Sequence, residues 1–124
     1  TPVLHEGHLY GFHGSSESGT ELVCYEAKSG RELWREDMIV ETAQGRALLG
    51  RGGLIRADGA FLCLVAQGTL LWRDLSPQGA KILSKTQLFR APETWGTPVV
   101  SRGLLFVNQN EMGSRLSCYD LRGE

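Results

Sequence analysis

Apolar residues along this chain fall into short runs of roughly four to six, each cut off by Gly, Asp, Ser or Pro. Runs of that length between turn formers predict short sheet strands. In the N-terminal part the pattern places strands at 2–5, 8–13, 21–26 and 32–36. A second set follows at 53–57, 60–66, 69–74 and 81–89. Asp58-Gly59 is a two-residue hairpin signal, because Gly supplies the positive φ that such a turn demands. Ser76-Pro77-Gln78-Gly79 marks a second tight reversal.

The strand pattern repeats. Thr1-Pro2-Val3-Leu4-His5-Glu6-Gly7 returns as Thr97-Pro98-Val99-Val100-Ser101-Arg102-Gly103. Each copy is followed by an apolar run, a polar loop and a third run, Leu22-Val23-Cys24-Tyr25 in one and Leu116-Ser117-Cys118-Tyr119 in the other. A diverged copy lies between them. Matching Cys63 to Cys24 and Trp72 to Trp34 would orphan the strand from Ala80 to Phe89. Aligning Gly7, Gly59 and Gly103 at one hairpin turn uses every segment, and this register is preferred.

Units of roughly 40–50 residues with four antiparallel strands predict an all-β partial propeller. Its blades fall at 1–37, at 53–90 and, as an incomplete blade of three strands, at 91–124; a connecting loop fills 38–52. A single blade cannot bury both faces, so fewer than about four blades do not close a ring, and further blades are expected elsewhere in a longer parent. The missing fourth strand of the last unit reflects truncation or, preferably, closure by a strand from the parent's N-terminal part. The opening Thr1-Pro2-Val3, with no initiator Met and no basic n-region, fits a piece of a longer protein.

Composition agrees and excludes several functions. Sixteen Gly among 124 residues provide for many turns, and 41% hydrophobic residues suffice for a core. A net charge of −1 leaves no electrostatic footprint for nucleic acid. No apolar run approaches the roughly 18 residues of a membrane helix. Cys24, Cys63 and Cys118 are far apart, without the clustering a zinc site needs, and read as small buried hydrophobes.

Candidate chemistry is sparse. His5-Glu6-Gly7-His8 is one residue short of the H-E-x-x-H spacing and sits on a turn, so its histidines are expected to face solvent. Gln44-Gly45-Arg46 and Arg51-Gly52-Gly53 read as solvated loop. No G-x-S-x-G elbow is present. Trp95, Thr97 and Pro98 mark the crossing from an outer to an inner strand, at the mouth of the expected channel, where a ligand or partner could be met. The competing role for Trp95 is a wedge between blades.

The segment from Cys24 to Trp34 resembles the signature turn of the PQQ-like (pyrroloquinoline quinone) repeat β-propellers: small residue, any, Asp, any, any, Thr, Gly, three residues, Trp. Cys24, Glu26, Ser29, Gly30 and Trp34 fall on those positions, the first three as conservative departures. Asp74 and Gly79 keep the ends of the turn in the second unit, with Leu83 near the Trp position. Tyr119-Asp120-Leu121-Arg122-Gly123 begins the motif in the third. Acidic and hydroxyl side chains would cap the turn, and the Trp would lie against the next blade.

The resemblance covers quinoprotein dehydrogenases, the BamB-like outer-membrane assembly lipoproteins and secreted bacterial repeat proteins. It is strongest to the C-terminal part of such bacterial proteins. It implies a periplasmic or extracytoplasmic location and, as the preferred role, a non-catalytic scaffold for protein or polysaccharide partners, without a cofactor. A segment of a PQQ- and Ca²⁺-dependent alcohol or sugar dehydrogenase is the alternative. That class implies a vicinal Cys pair, which this chain lacks.

Overall fold

A computed structural model of the chain describes residues 2–15, 19–42, 45–48, 52–65, 68–89, 96–110 and 113–122. These are all-β. The first sheet holds β1 (Val3–His5), β2 (His8–Ser15), β3 (Gly19–Glu26) and β4 (Glu32–Asp37) in sequence order, every pair antiparallel. A small hairpin, β5 (Ile39–Thr42) with β6 (Gly45–Leu48), follows where a plain connecting loop was expected. Alternation at Ile39-Val40-Glu41 was too short a signal to separate from loop.

The second sheet repeats the first: β7 (Gly52–Ala57), β8 (Ala60–Val65), β9 (Thr69–Ser76) and β10 (Gly79–Gln87). The third has β11 (Val99–Ser101), β12 (Leu104–Asn110) and β13 (Ser114–Asp120). Three consecutive meanders of this kind make three blades of a partial β-propeller, the last with three strands among the described residues.

The hairpin opening each blade has one conformation. Glu6-Gly7, Asp58-Gly59 and Arg102-Gly103 all take positive φ at both residues, near 50° and then near 77°. This is the type I′ turn, whose twist matches the flanking strands. The carbonyls of Gly7 and Gly103 then accept equivalent bonds, from the Ala27 N–H at 2.9 Å and the Leu121 N–H at 2.8 Å. The two outer copies therefore match atom for atom at this point.

Side-chain alternation gives each blade two faces: a leading face toward the blade before it in sequence and a trailing face toward the blade after it. Tyr10, Leu22 and Cys24 on the trailing face of the first blade meet Phe61, Cys63, Leu71 and Leu75 on the leading face of the second. Leu62, Leu64 and Leu70 on the trailing face of the second meet Leu105 and Val107 of the third. The run Ala60-Phe61-Leu62-Cys63-Leu64-Val65 is consequently buried along its whole length, and β8 lacks the half-polar pattern of a one-sided strand. At roughly 1.5–3 kcal/mol for each fully buried large apolar side chain, these two interfaces dominate the core.

Candidate functional site

The repeat turn is assembled as follows. After Glu26 the chain reverses through Gly30, at φ +73°, with the Gly30 N–H bonded to the Glu26 carbonyl at 2.8 Å. Ser29 Oγ accepts the Arg31 N–H at 3.2 Å. Glu26 turns its carboxylate to the Arg31 guanidinium, 3.7 Å away, so its role in this turn is an ion pair. In the third blade Asp120 caps the Arg122 N–H at 2.9 Å and also holds its guanidinium at 2.8 Å. Those bonds from Arg122 draw the Asp120 carboxyl down to about 2.

Trp34 leaves this turn and reaches the second blade. Its indole Nε1–H donates to the Ser76 carbonyl at 2.7 Å, and its ring packs on the Tyr10 ring at 6.2 Å. Sequence matching put Leu83 at the corresponding place in the second blade. The strand register corrects this: Cys24 pairs with Trp34, whereas Trp72 pairs with Ser84, and Leu83 falls in the bulge between Ile82 and Ser84. The small and large partners have changed strands. Both indoles sit on trailing faces and fill the next interface.

Beside Trp34 lies a charge that sequence reasoning missed. Arg73 is only 2% exposed, yet it bonds Glu36 Oε1 of the first blade at 2.8 Å and directs Nη1 to Met38 Sδ at 3.4 Å. Its Nε is buried without a hydrogen-bond partner. The signal for it was a single Arg in an otherwise apolar strand, Leu70-Leu71-Trp72-Arg73.

Ahead of β11, at the crossing expected to rim a channel, the structure places Thr97 exposed and Pro98 buried, while Trp95 lies outside the described residues. Pro98 is pressed onto the second blade. A Cβ added at Gly53 would stand 2.8 Å from Pro98 Cδ and 3.0 Å from Thr97 Cα. At Gly52 it would stand 2.5 Å from the Leu64 carbonyl oxygen. Both glycines, expected in a solvated loop, open β7: Gly53 admits the next blade's Thr97-Pro98 segment and Gly52 the close approach of β8 in its own sheet; Gln44 and Arg51 lie outside the described residues.

Other expectations need revision as well. His5 is half-buried, its ring set edge-on against Phe61 with centroids 6.0 Å apart. His8 Nδ1–H donates to the Glu6 carbonyl at 2.9 Å, so the two histidines serve the hairpin and the first interface. Cys24 and Cys63 are free and buried, but Cys118 is exposed, because no blade among the described residues covers the trailing face of the third. Burial pushes the Cys63 thiol up to about 12.

The leading face of the first blade holds an open cleft of about 430 Å³, lined by Pro2, Leu9, Gly11, His13, Val23 and Tyr25 among others. Along the same face Arg35 bridges Glu21 and Glu32, the latter at 2.8 Å. Among the described residues no group of three His, Cys, Asp or Glu side chains could hold a metal ion.

Fold and faces together define a stretch of propeller, and the comparisons agree. No protein-family model matches the chain. It is 28% identical over 137 aligned residues to the quinohemoprotein alcohol dehydrogenase ADH IIB of Pseudomonas putida, covering 97% of this chain and 18% of that protein. Its fold is similar to that of a europium-containing methanol dehydrogenase, with a TM-score of 0.62, 17% identity, and coverage of 97% of this chain and 22% of that one. The chain thus spans about a fifth of the length of each of these proteins.

Proposed function

We propose that this chain is a set of wall blades of a quinoprotein-like propeller, a non-catalytic scaffold offering its channel-side edge and loops to a protein or polysaccharide partner. The observation that carries this reading is the use to which its residues are put. The middle blade is packed on both faces, and Arg73, its one buried charge among the described residues, is tied to Glu36 of its neighbour. Among the described residues of the crossing, Thr97 is exposed and Pro98 buried. An extracytoplasmic setting belongs to the same proposal and rests on the resemblance.

The sequence relationship to an alcohol dehydrogenase along nearly the whole chain supports a second reading: blades of a PQQ- and Ca²⁺-dependent dehydrogenase whose catalytic groups come from other blades. Among the described residues no group of three His, Cys, Asp or Glu side chains could hold a metal ion, and Cys24, Cys63 and Cys118 are single, so on this reading the metal and quinone contacts come from other blades. Titrating the full-length parent protein with PQQ in the presence of Ca²⁺ by calorimetry separates the two readings. The scaffold reading expects no saturable heat. Stoichiometric, Ca²⁺-dependent binding would overturn it in favour of the second.

A further inference from the structure

The two internal junctions are alike in their apolar positions. Strand register makes Leu22 and Leu70 equivalent on the trailing faces, and Phe61 and Leu105 equivalent on the leading faces. All four side chains are buried. Apolar contact has no direction of its own. On these positions alone, the trailing face of the first blade would accept the leading face of the third nearly as well as that of the second.

Glu36 and Arg73 break the likeness. By the same register Arg73 stands where the first blade has Tyr25 and the third has Tyr119, and Glu36 stands where the second blade has Thr86. One junction therefore carries a carboxylate and a guanidinium where the other carries a hydroxyl and a phenol. Arg73 is 2% exposed and reaches Glu36 Oε1 at 2.8 Å, while its Nη1 points at Met38 Sδ just past β4. Both of these partners belong to the first blade's end of the chain. The buried charge is compensated only while that blade lies against it.

We infer that Glu36 and Arg73 are the specificity-determining pair of the first junction: they make the second blade's leading face the one that the first blade accepts. A buried ion pair adds little net stability over apolar residues of similar volume, because desolvation offsets the attraction, yet separating its members is costly. With the first blade packed on the third, Glu36 would fall opposite Tyr119 and Arg73 would lose its carboxylate. Only the observed order keeps the pair together. Similar tandem repeats are prone to swapped assembly as they fold, and a charged pair at one junction alone acts against it. The inference concerns assembly of the stack and stands under either reading of function.

The test gives the first junction the residues of the second, Glu36→Thr with Arg73→Tyr, in the full-length parent protein with labelled methyl groups. In urea the double variant is expected to unfold at a midpoint closer to the wild type's than Glu36→Ala alone does. After refolding from urea, the wild type is expected to show methyl contacts from Leu22 to Leu71 and Leu75 of the second blade and none to the third. The double variant is expected to show a further set, from Leu22 to Leu105 and Val107, in a swapped species. A double variant that refolds with the wild-type contacts alone overturns the inference, because apolar packing would then set the order. One that is destabilised as far as Glu36→Ala, or further, also overturns it, because the pair would then be a stabiliser and not a selector.

Discussion

The indole N–H of Trp34 in the first blade donates to the backbone carbonyl of Ser76 in the second, at 2.7 Å. One bond thus joins the repeat's signature residue to the end of a strand in the next repeat. Trp34→Phe keeps most of the ring contact and loses the donor, an expected cost of about 1 kcal/mol. Trp34→Ala empties the site and is expected to cost about 3–5 kcal/mol. Urea denaturation of both variants checks the order; equal losses would mean that packing contributes little.

Arg73 and Glu36 respond asymmetrically. Removing the carboxylate by Glu36→Ala strands a guanidinium that is 2% exposed, and loss of one partner of a buried pair costs about 3–5 kcal/mol. Because Glu36 is itself partly solvated, the low end of that range applies. Arg73→Met replaces the charge with an apolar chain of similar reach and is expected to change stability by less than Glu36→Ala. Chemical denaturation of the two variants reads the difference directly.

Two glycines separate backbone strain from crowding. Gly59 has φ +76° with open space around its Cβ position, so Gly59→Ala is expected to cost about 1–2 kcal/mol from conformation alone. Gly53→Ala brings a methyl to 2.8 Å from Pro98 Cδ. It is expected to cost about 1–3 kcal/mol by overpacking, and to loosen the third blade selectively. Amide exchange across β11 to β13 detects that loosening, which Gly59→Ala should not produce.

The thiols and Tyr10 set the alkaline limb of stability. Burial raises Cys63 from 9.0 to about 12, and burial together with Cys24 raises Tyr10 from 10.0 to about 12. The fold favours the protonated forms, so their contribution is fully present below pH 9 and is lost as pH rises toward about 12. Melting temperature is expected to fall across that window. In the native protein at neutral pH a thiol reagent should label Cys118 and leave Cys24 and Cys63 unreacted.

Much of the fold was legible because turn chemistry is local. The glycines at 7, 59 and 103 announce three hairpins, since positive φ at the second turn position selects for Gly wherever the chain is exposed. The rest depended on partners distant in sequence. Trp72 and Ser84 exchange the sizes of Cys24 and Trp34 across a strand pair, a compensation visible only once the register is known. Arg73 was hidden for the same reason, because its carboxylate lies in another blade. Cys118 shares its local pattern with Cys24, and only the absence of a covering blade among the described residues distinguishes them.

The central claim is that the three repeats stack as consecutive blades, the second lying between the first and the third. Side-chain nuclear Overhauser contacts in the labelled chain test it most directly. The stack predicts contacts between the Tyr10 and Phe61 rings, whose centroids are 5.1 Å apart, together with contacts from Leu62 and Leu64 to Leu105 and Val107. Both sets should appear in one folded species. Finding either set absent, or Phe61 in contact with the third blade in place of the first, would contradict the stack.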